Sequence, residues 1–124
     1  MEVQTSLGAE FARAIAAKDA DRLRALLHPE IDFKALTPRR FWEASGPDEV
    51  ATIVLGSWFG DGDDIEGVEH IDTDAFADRE RVGYRFSVRT PDGRFLVEQQ
   101  AYIEPRDGQI GWMRVLCSGY RPVD

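Results

Sequence analysis

The sequence predicts an α+β domain with helices packed on one face of a curved, mainly antiparallel sheet. Three observations carry the prediction. Apolar residues recur at helical spacing only in roughly the first half of the chain, alternating strand-like stretches fill the second half, and two Asp-Gly pairs punctuate those strands as hairpin turns. At 124 residues the chain reads as one domain, 1–124, long enough to bury its own core.

Leu7, Phe11 and Ile15 stand at i, i+4 and i+8 with Glu10, Arg13 and Lys18 off that line, the stripe of an amphipathic first helix capped by Thr5 or Ser6. A second helix starts at Asp19 and buries Leu23, Leu26 and Leu27. It stops at His28, because Pro29 disfavours helical backbone in the residue before it. The two helices are expected to pack as a hairpin. Ile31-Asp32-Phe33-Lys34-Ala35-Leu36 alternates as a short strand, and Thr37–Glu43 reads as an irregular connection. Ser45-Gly46-Pro47-Asp48-Glu49 opens a third helix with an early proline and acids where the dipole favours them. Val50, Ile53, Val54 and Trp58 form its buried stripe, and Gly60 ends it. Strands follow at about 65–76, 81–90, 94–104 and 109–119, joined near Asp78-Arg79, Pro91-Asp92-Gly93 and Arg106-Asp107-Gly108.

Composition narrows the partners. Fifteen Lys and Arg against twenty-three Asp and Glu give a formal charge of −8, which argues against a nucleic-acid backbone or an anionic membrane. Cys117 is the single cysteine, so no intrachain disulfide forms. Met1-Glu2-Val3-Gln4-Thr5 has no basic stretch followed by an apolar core, and no segment reaches the length of a membrane span, so cytoplasm is the expected compartment. Asp61-Gly62-Asp63-Asp64 lacks the ligand spacing of a calcium loop, and neither metal nor cofactor is expected.

The candidate site centres on the 95–103 strand. Leu96, Glu98, Gln100 and Tyr102 share one face, and Phe95, Val97, Gln99, Ala101 and Ile103 the other. The even-numbered set is expected to look toward the helices. There Glu98, its pKa raised by burial, is the acid/base candidate, and Gln100 and Tyr102 would donate hydrogen bonds to a carbonyl or enolate oxygen. An ion pair with Arg85 on the neighbouring strand is the competing reading of Glu98. Trp42, Trp58, Phe33 and Met113 are candidate pocket walls, with ordinary core packing as the alternative and Phe33 read as core. Arg39 and Arg40 are placed at a pocket mouth that attracts a carboxylate, or in a solvated loop. His28 reads as a helix-end cap and His70 has no second histidine at ligand spacing. Cys117 reads as a small buried hydrophobe near the pocket end. If Met113, Val115 and Cys117 face the helices, then Val97, Ile103, Trp112 and Leu116 form an outer apolar band too large for a monomer, which predicts a homodimer by sheet-to-sheet packing.

Phe11-Ala12-Arg13-Ala14-Ile15-Ala16-Ala17-Lys18-Asp19-Ala20-Asp21-Arg22-Leu23, then Leu27-His28-Pro29-Glu30-Ile31-Asp32-Phe33, Gly46-Pro47-Asp48-Glu49-Val50 and the final Gly108-Gln109-Ile110-Gly111-Trp112-Met113-Arg114-Val115-Leu116 resemble the nuclear transport factor 2-like superfamily, and within it the SnoaL-like and ketosteroid-isomerase-like proteins. The resemblance covers nearly the whole chain. It implies a cone-shaped domain with a pocket between helices and sheet, in a superfamily of isomerases, cyclases, dehydratases, epoxide hydrolases and noncatalytic modules. Ketosteroid isomerases use a first-helix tyrosine, a strand aspartate base and a protonated aspartic acid. Those positions fall at Phe11, near Ala35, and near Gln100 or Tyr102, and the first two carry no transferable proton. Steroid-type isomerisation is therefore not expected.

Two functions stay open. One is a small-molecule ligand in the pocket, with binding alone or with cofactor-free acid/base catalysis of the isomerase, cyclase or dehydratase kind. The other is a noncatalytic dimerisation or interaction module with a filled cone. An enclosed space of roughly 300 Å³ or more favours the first.

Overall fold

The computed structural model describes residues 6–123, and its elements follow from local chemistry. Helix α1, Leu7–Ala16, is capped by Ser6, whose Oγ accepts from Ala9 N at 2.9 Å; Thr5, the alternative cap, lies outside the described residues, as does the rest of the opening Met1–Thr5 stretch. Glu80 reaches this end from the sheet, accepting from Ser6 Oγ at 2.6 Å and Gly8 N at 2.8 Å. Asp19 caps α2, Ala20–Leu26, by accepting from Arg22 N at 3.1 Å. The helix ends two residues earlier than the sequence suggests. Leu27 already pairs with Ile110, and strand β1 runs Leu27–Thr37.

The 37–43 connection is also corrected. Pro38 and Arg39 form a tight turn with Arg39 at φ 70°, and β2, Arg40–Ser45, returns antiparallel along β1. Alternation of exposed Phe41, Glu43 and Ser45 with more buried Trp42 and Ala44 is the period-two signal of that strand. Pro47 and two acids start α3, Pro47–Thr52. The helix then widens into a π-helical segment, Ile53–Trp58, closed by a Phe59 N–H bond to the Val54 carbonyl at 3.0 Å.

Strands β3 (Asp64–Phe76), β4 (Arg79–Thr90), β5 (Gly93–Arg106) and β6 (Gln109–Cys117) form a meander, and β7 (Arg121–Pro122) pairs with the start of β5. The sheet order is β2-β1-β6-β5-β4-β3; β1 and β6 are parallel and the remaining pairs antiparallel. Asp107 and Gly108 both take positive φ, 54° and 77°, as the favoured two-residue hairpin turn requires. At the preceding hairpin Pro91 and Asp92 make the turn, and Gly93, at φ 128°, opens β5.

Phe11 and Ile15 from α1, Leu23 from α2 and Val50 and Val54 from α3 and its extension pack on the inner sheet face. Val82, Tyr84, Phe86 and Val88 of β4 meet them there. Registration decides which face of β5 joins this core. Tyr84 pairs with Gln99, Phe86 with Val97 and Val82 with Ala101, so the odd-numbered residues of β5 point inward. This overturns the expected orientation of Glu98, Gln100 and Tyr102. It also removes Val97 and Ile103 from the outer band, both being fully buried. Met113 and Val115 do face the helices, and Leu116, 63% exposed, faces out.

Candidate functional site

On the inner face, between the π-helical segment, the interior of β5 and the end of β6, lies a cavity of about 190 Å³. Trp42, Trp58, Phe59, Gln99, Cys117 and Tyr120 are among its walls. β1 and β2 bring Trp42 to one side; its Nε1 donates to Thr37 Oγ1 at 2.8 Å, and its ring stands edge-on to Trp58 at 6.1 Å. Trp58 is the last residue of the π-helical segment and is buried against the core. Tyr120 follows the break between β6 and β7. Its hydroxyl lies 2.6 Å from the Trp58 carbonyl and 2.8 Å from Asp63 Oδ2, and burial followed by the Asp63 carboxylate pushes its pKa far above the usual tyrosine value.

Gln99 supplies the polar floor. It is only 1% exposed, and its Oε1 accepts from Tyr84 Oη at 2.5 Å. Tyr84 is wholly buried, and loss of water raises its pKa well above the ordinary value, so it stays a donor. Gln99 Nε2 and Trp58 Nε1 are buried donors without an acceptor among the described residues.

The sequence candidates divide between two surfaces. Trp42 and Trp58 line the inner cavity. Phe33 and Met113 lie beside it in the core, adjacent across the β1/β6 pairing, with Phe33 6.1 Å from the Trp58 ring. Arg39 is exposed at the tip of the β1/β2 turn next to Pro38, which borders the cavity, and the Arg40 guanidinium stacks 3.6 Å from the Trp42 ring. Glu98, Gln100 and Tyr102 lie on the opposite side of the sheet. Glu98 Oε1 accepts from Arg85 Nη2 at 2.8 Å and Nε at 3.0 Å, the competing reading of that residue. Gln100 and Tyr102 border a groove of about 390 Å³ on the outer face, together with Leu36, Phe41, Arg114 and Leu116. The Phe11 ring packs 6.4 Å from Tyr84, and Ala35 is buried.

Three residues with ionisable or metal-binding potential have other work. His28 is not at a helix end but in β1, where Nε2 lies 3.2 Å from Asp107 Oδ2 and Nδ1 accepts from Glu30 N at 3.0 Å. His70 is exposed beside Asp72, and Cys117 Sγ accepts from Gly119 N at 3.3 Å. No cluster of three or more His, Cys, Asp or Glu among the described residues is placed to hold a metal ion. Sequence reasoning missed Gln99, Tyr84 and Tyr120. The signal for the first two was available, since Val82, Tyr84, Phe86 and Val88 form an unmistakably apolar face, and a two-residue turn after Thr90 sets those positions opposite the odd-numbered residues of β5.

Solved structures share this arrangement. A candidate isomerase from Bacillus subtilis superposes with a TM-score of 0.73 at 13% identity, covering 90% of this chain and 86% of its own. A candidate polyketide cyclase from Pseudomonas putida KT2440 gives 0.71 at 14%, covering 93% and 91%. An epoxide hydrolase of M. tuberculosis, LEH-like, gives 0.66 at 17%, covering 90% and 80%. The fold is the nuclear transport factor 2-like, SnoaL-like one. No family model and no curated protein matches the sequence itself. Within the nuclear transport factor 2-like fold, then, this chain's inner cavity is described by its own residues, because identity at this level carries architecture and not chemistry.

Proposed function

We propose that the chain binds one small, mainly apolar molecule in the inner cavity, at the open end of the cone that the sequence suggests. The observation that carries this reading is a buried amide, Gln99, forming part of a wall otherwise dominated by aromatic and small side chains. Small-molecule sites have that composition, apolar walls with few fixed polar groups. The volume sets the size. About 190 Å³ falls short of the roughly 300 Å³ expected above of a ligand pocket, so the reading narrows to a smaller molecule: the space still exceeds the ~150 Å³ cavity that admits benzene, which fits a single ring. The neighbours' names, a candidate isomerase, a candidate polyketide cyclase and an epoxide hydrolase, support such a pocket by analogy of fold alone. Of the ionisable groups among the described cavity walls, Cys117 and Tyr120, the latter holds its proton far above the usual tyrosine range, and Glu98 serves an ion pair on the other face. Binding is accordingly the primary role.

A thermal-shift series with single-ring ketones, lactones and hydrocarbons tests this. Saturating ligand raises stability by about 2.7 kcal/mol at a hundred times Kd, and Val97→Phe, which pushes a ring into the cavity, abolishes the shift. If no single-ring compound shifts the wild-type protein, the reading fails.

The outer face supports a second role, association of two copies through their sheets. Leu36, Phe41, Tyr102 and Leu116 are 50%, 55%, 40% and 63% exposed, and Leu36 pairs with both Phe41 and Leu116, which makes the patch contiguous across β2, β1 and β6. A twofold axis through this patch would cover it on both copies. A cytoplasmic setting belongs to the same proposal. No helix among the described residues is long and apolar enough to cross a membrane.

A further inference from the structure

Resting on the inner-cavity reading, we infer that the ligand is an uncharged molecule carrying a hydrogen-bond acceptor oxygen, of the cyclic ketone or lactone class, recognised by Gln99 and Trp58, and that Tyr84 is the positioning residue for Gln99. The argument starts from polar groups the fold does not use. Gln99 and Trp58 are 1% and 7% exposed, both line the cavity, and each retains an N–H donor with no acceptor among the described residues. Leaving one such donor unmet costs about 1–3 kcal/mol. The other indole donor of the neighbourhood, Trp42 Nε1, is met by Thr37 Oγ1, whereas the Gln99 and Trp58 donors are not met among the described residues.

The sign of the unmet groups identifies the ligand's chemistry. Both are donors only at the free atom, so they select an acceptor. No Lys or Arg is among the described cavity walls, and Lys18, the nearby cation on the helical side, is spent on the carbonyl oxygens of Gly60 and Asp63. The Asp63 carboxylate stands behind Tyr120. The Arg40 guanidinium is held against the Trp42 ring and is not among the described walls. A carboxylate ligand would therefore meet no counter-charge on those walls, whereas a carbonyl oxygen carries no such penalty.

Tyr84 acts through Gln99. Its hydroxyl, locked in the protonated state by burial among Phe11, Phe86 and the sheet, donates to Gln99 Oε1 and so assigns the other end of the amide as the donor. Without that phenol the amide is free to turn, and an acceptor-bearing ligand no longer finds a fixed N–H. The same contact explains why a glutamine, rather than a carboxylic acid, sits opposite a tyrosine: an amide offers an acceptor to the phenol and a donor to the ligand at once.

The experiment measures affinity of the full-length protein for cyclohexanone, for its shape-matched hydrocarbon methylenecyclohexane, and for cyclohexanecarboxylate, in wild type, Gln99→Leu and Tyr84→Phe. The ketone-to-hydrocarbon affinity ratio is expected to drop at least tenfold in Gln99→Leu and several-fold in Tyr84→Phe, with hydrocarbon affinity changed less than twofold and the carboxylate bound weakest by wild type. An unchanged ratio in both variants, or wild-type preference for the carboxylate, overturns the inference while leaving the cavity reading standing. Failure of all three probes to bind wild type removes both. Because Tyr84→Phe keeps the ring and its packing, it supplies the comparison if Gln99→Leu does not fold.

Discussion

Gln99 and Tyr84 form a buried polar pair that leaves one amide donor unmet among the described residues. Exchange of both for apolar groups of similar shape, Tyr84→Phe with Gln99→Leu, removes the unmet donor together with its partner. The ligand-free double variant is expected to be as stable as wild type or more so; a loss above about 2 kcal/mol in denaturant unfolding would show the pair to be structural. Tyr84 also fixes a pH response. Burial raises its pKa above the ordinary 10.0, with Cys117 adding to the shift, so the stability it contributes is complete below about pH 10, and is lost as the unfolded tyrosine ionises while the folded one does not. Thermal unfolding from pH 8 to 11 should fall less steeply above pH 10 in Tyr84→Phe than in wild type, with Tyr120 contributing in the same direction in both. Glu98 provides the contrast. Glu98→Gln, which removes a carboxylate paired with Arg85 on the far face, leaves cyclohexanone affinity within about twofold of wild type, and a tenfold loss would return Glu98 to the site.

At the scale of elements, strand parity was the step the sequence left ambiguous. Each face of β5 carries apolar and polar residues, so the strand read alone supports either orientation, and the Glu98, Gln100, Tyr102 series drew attention because it holds more recognisable chemistry than Gln99 alone. β4 resolves it through register, since one residue of slip would turn Tyr84 and Phe86 to the outside. Helix starts were legible because Ser6, Asp19 and Pro47 act locally, whereas β2 was missed because its pairing with β1 depends on a turn that places Arg39 at positive φ. The π-helical widening at Ile53–Trp58 likewise left no local signature, though it positions Trp58. The docking of α1 offers a direct check. A Cβ on Gly8 would lie 2.6 Å from Val82 Cβ and 2.8 Å from Glu80 Oε1. Gly8→Ala should therefore cost about 1–3 kcal/mol in denaturant unfolding despite alanine's better helix propensity, and a neutral or stabilising result would mean that α1 sits farther from β4.

For the whole molecule, the helices-then-strands order made the α+β architecture readable from periodicity, and the resemblance to the nuclear transport factor 2-like superfamily agrees with the structural neighbours. The two faces of its sheet divide the proposed roles, ligand within and second copy without. Leu116→Glu places a charge at the centre of the outer patch, and light scattering should then give a monomer mass where wild type gives a dimer, with probe affinity retained; a wild-type monomer at micromolar concentration rejects the association. The central claim is that the inner face of β5, not the outer, meets the ligand. Amide and indole NMR spectra recorded while cyclohexanone is titrated into the wild-type protein test it most directly. The account predicts that the Gln99 side-chain amide and the Trp58 indole N–H move with saturation while the Gln100 side-chain amide stays in place. Movement of Gln100 with Gln99 and Trp58 unperturbed would contradict it.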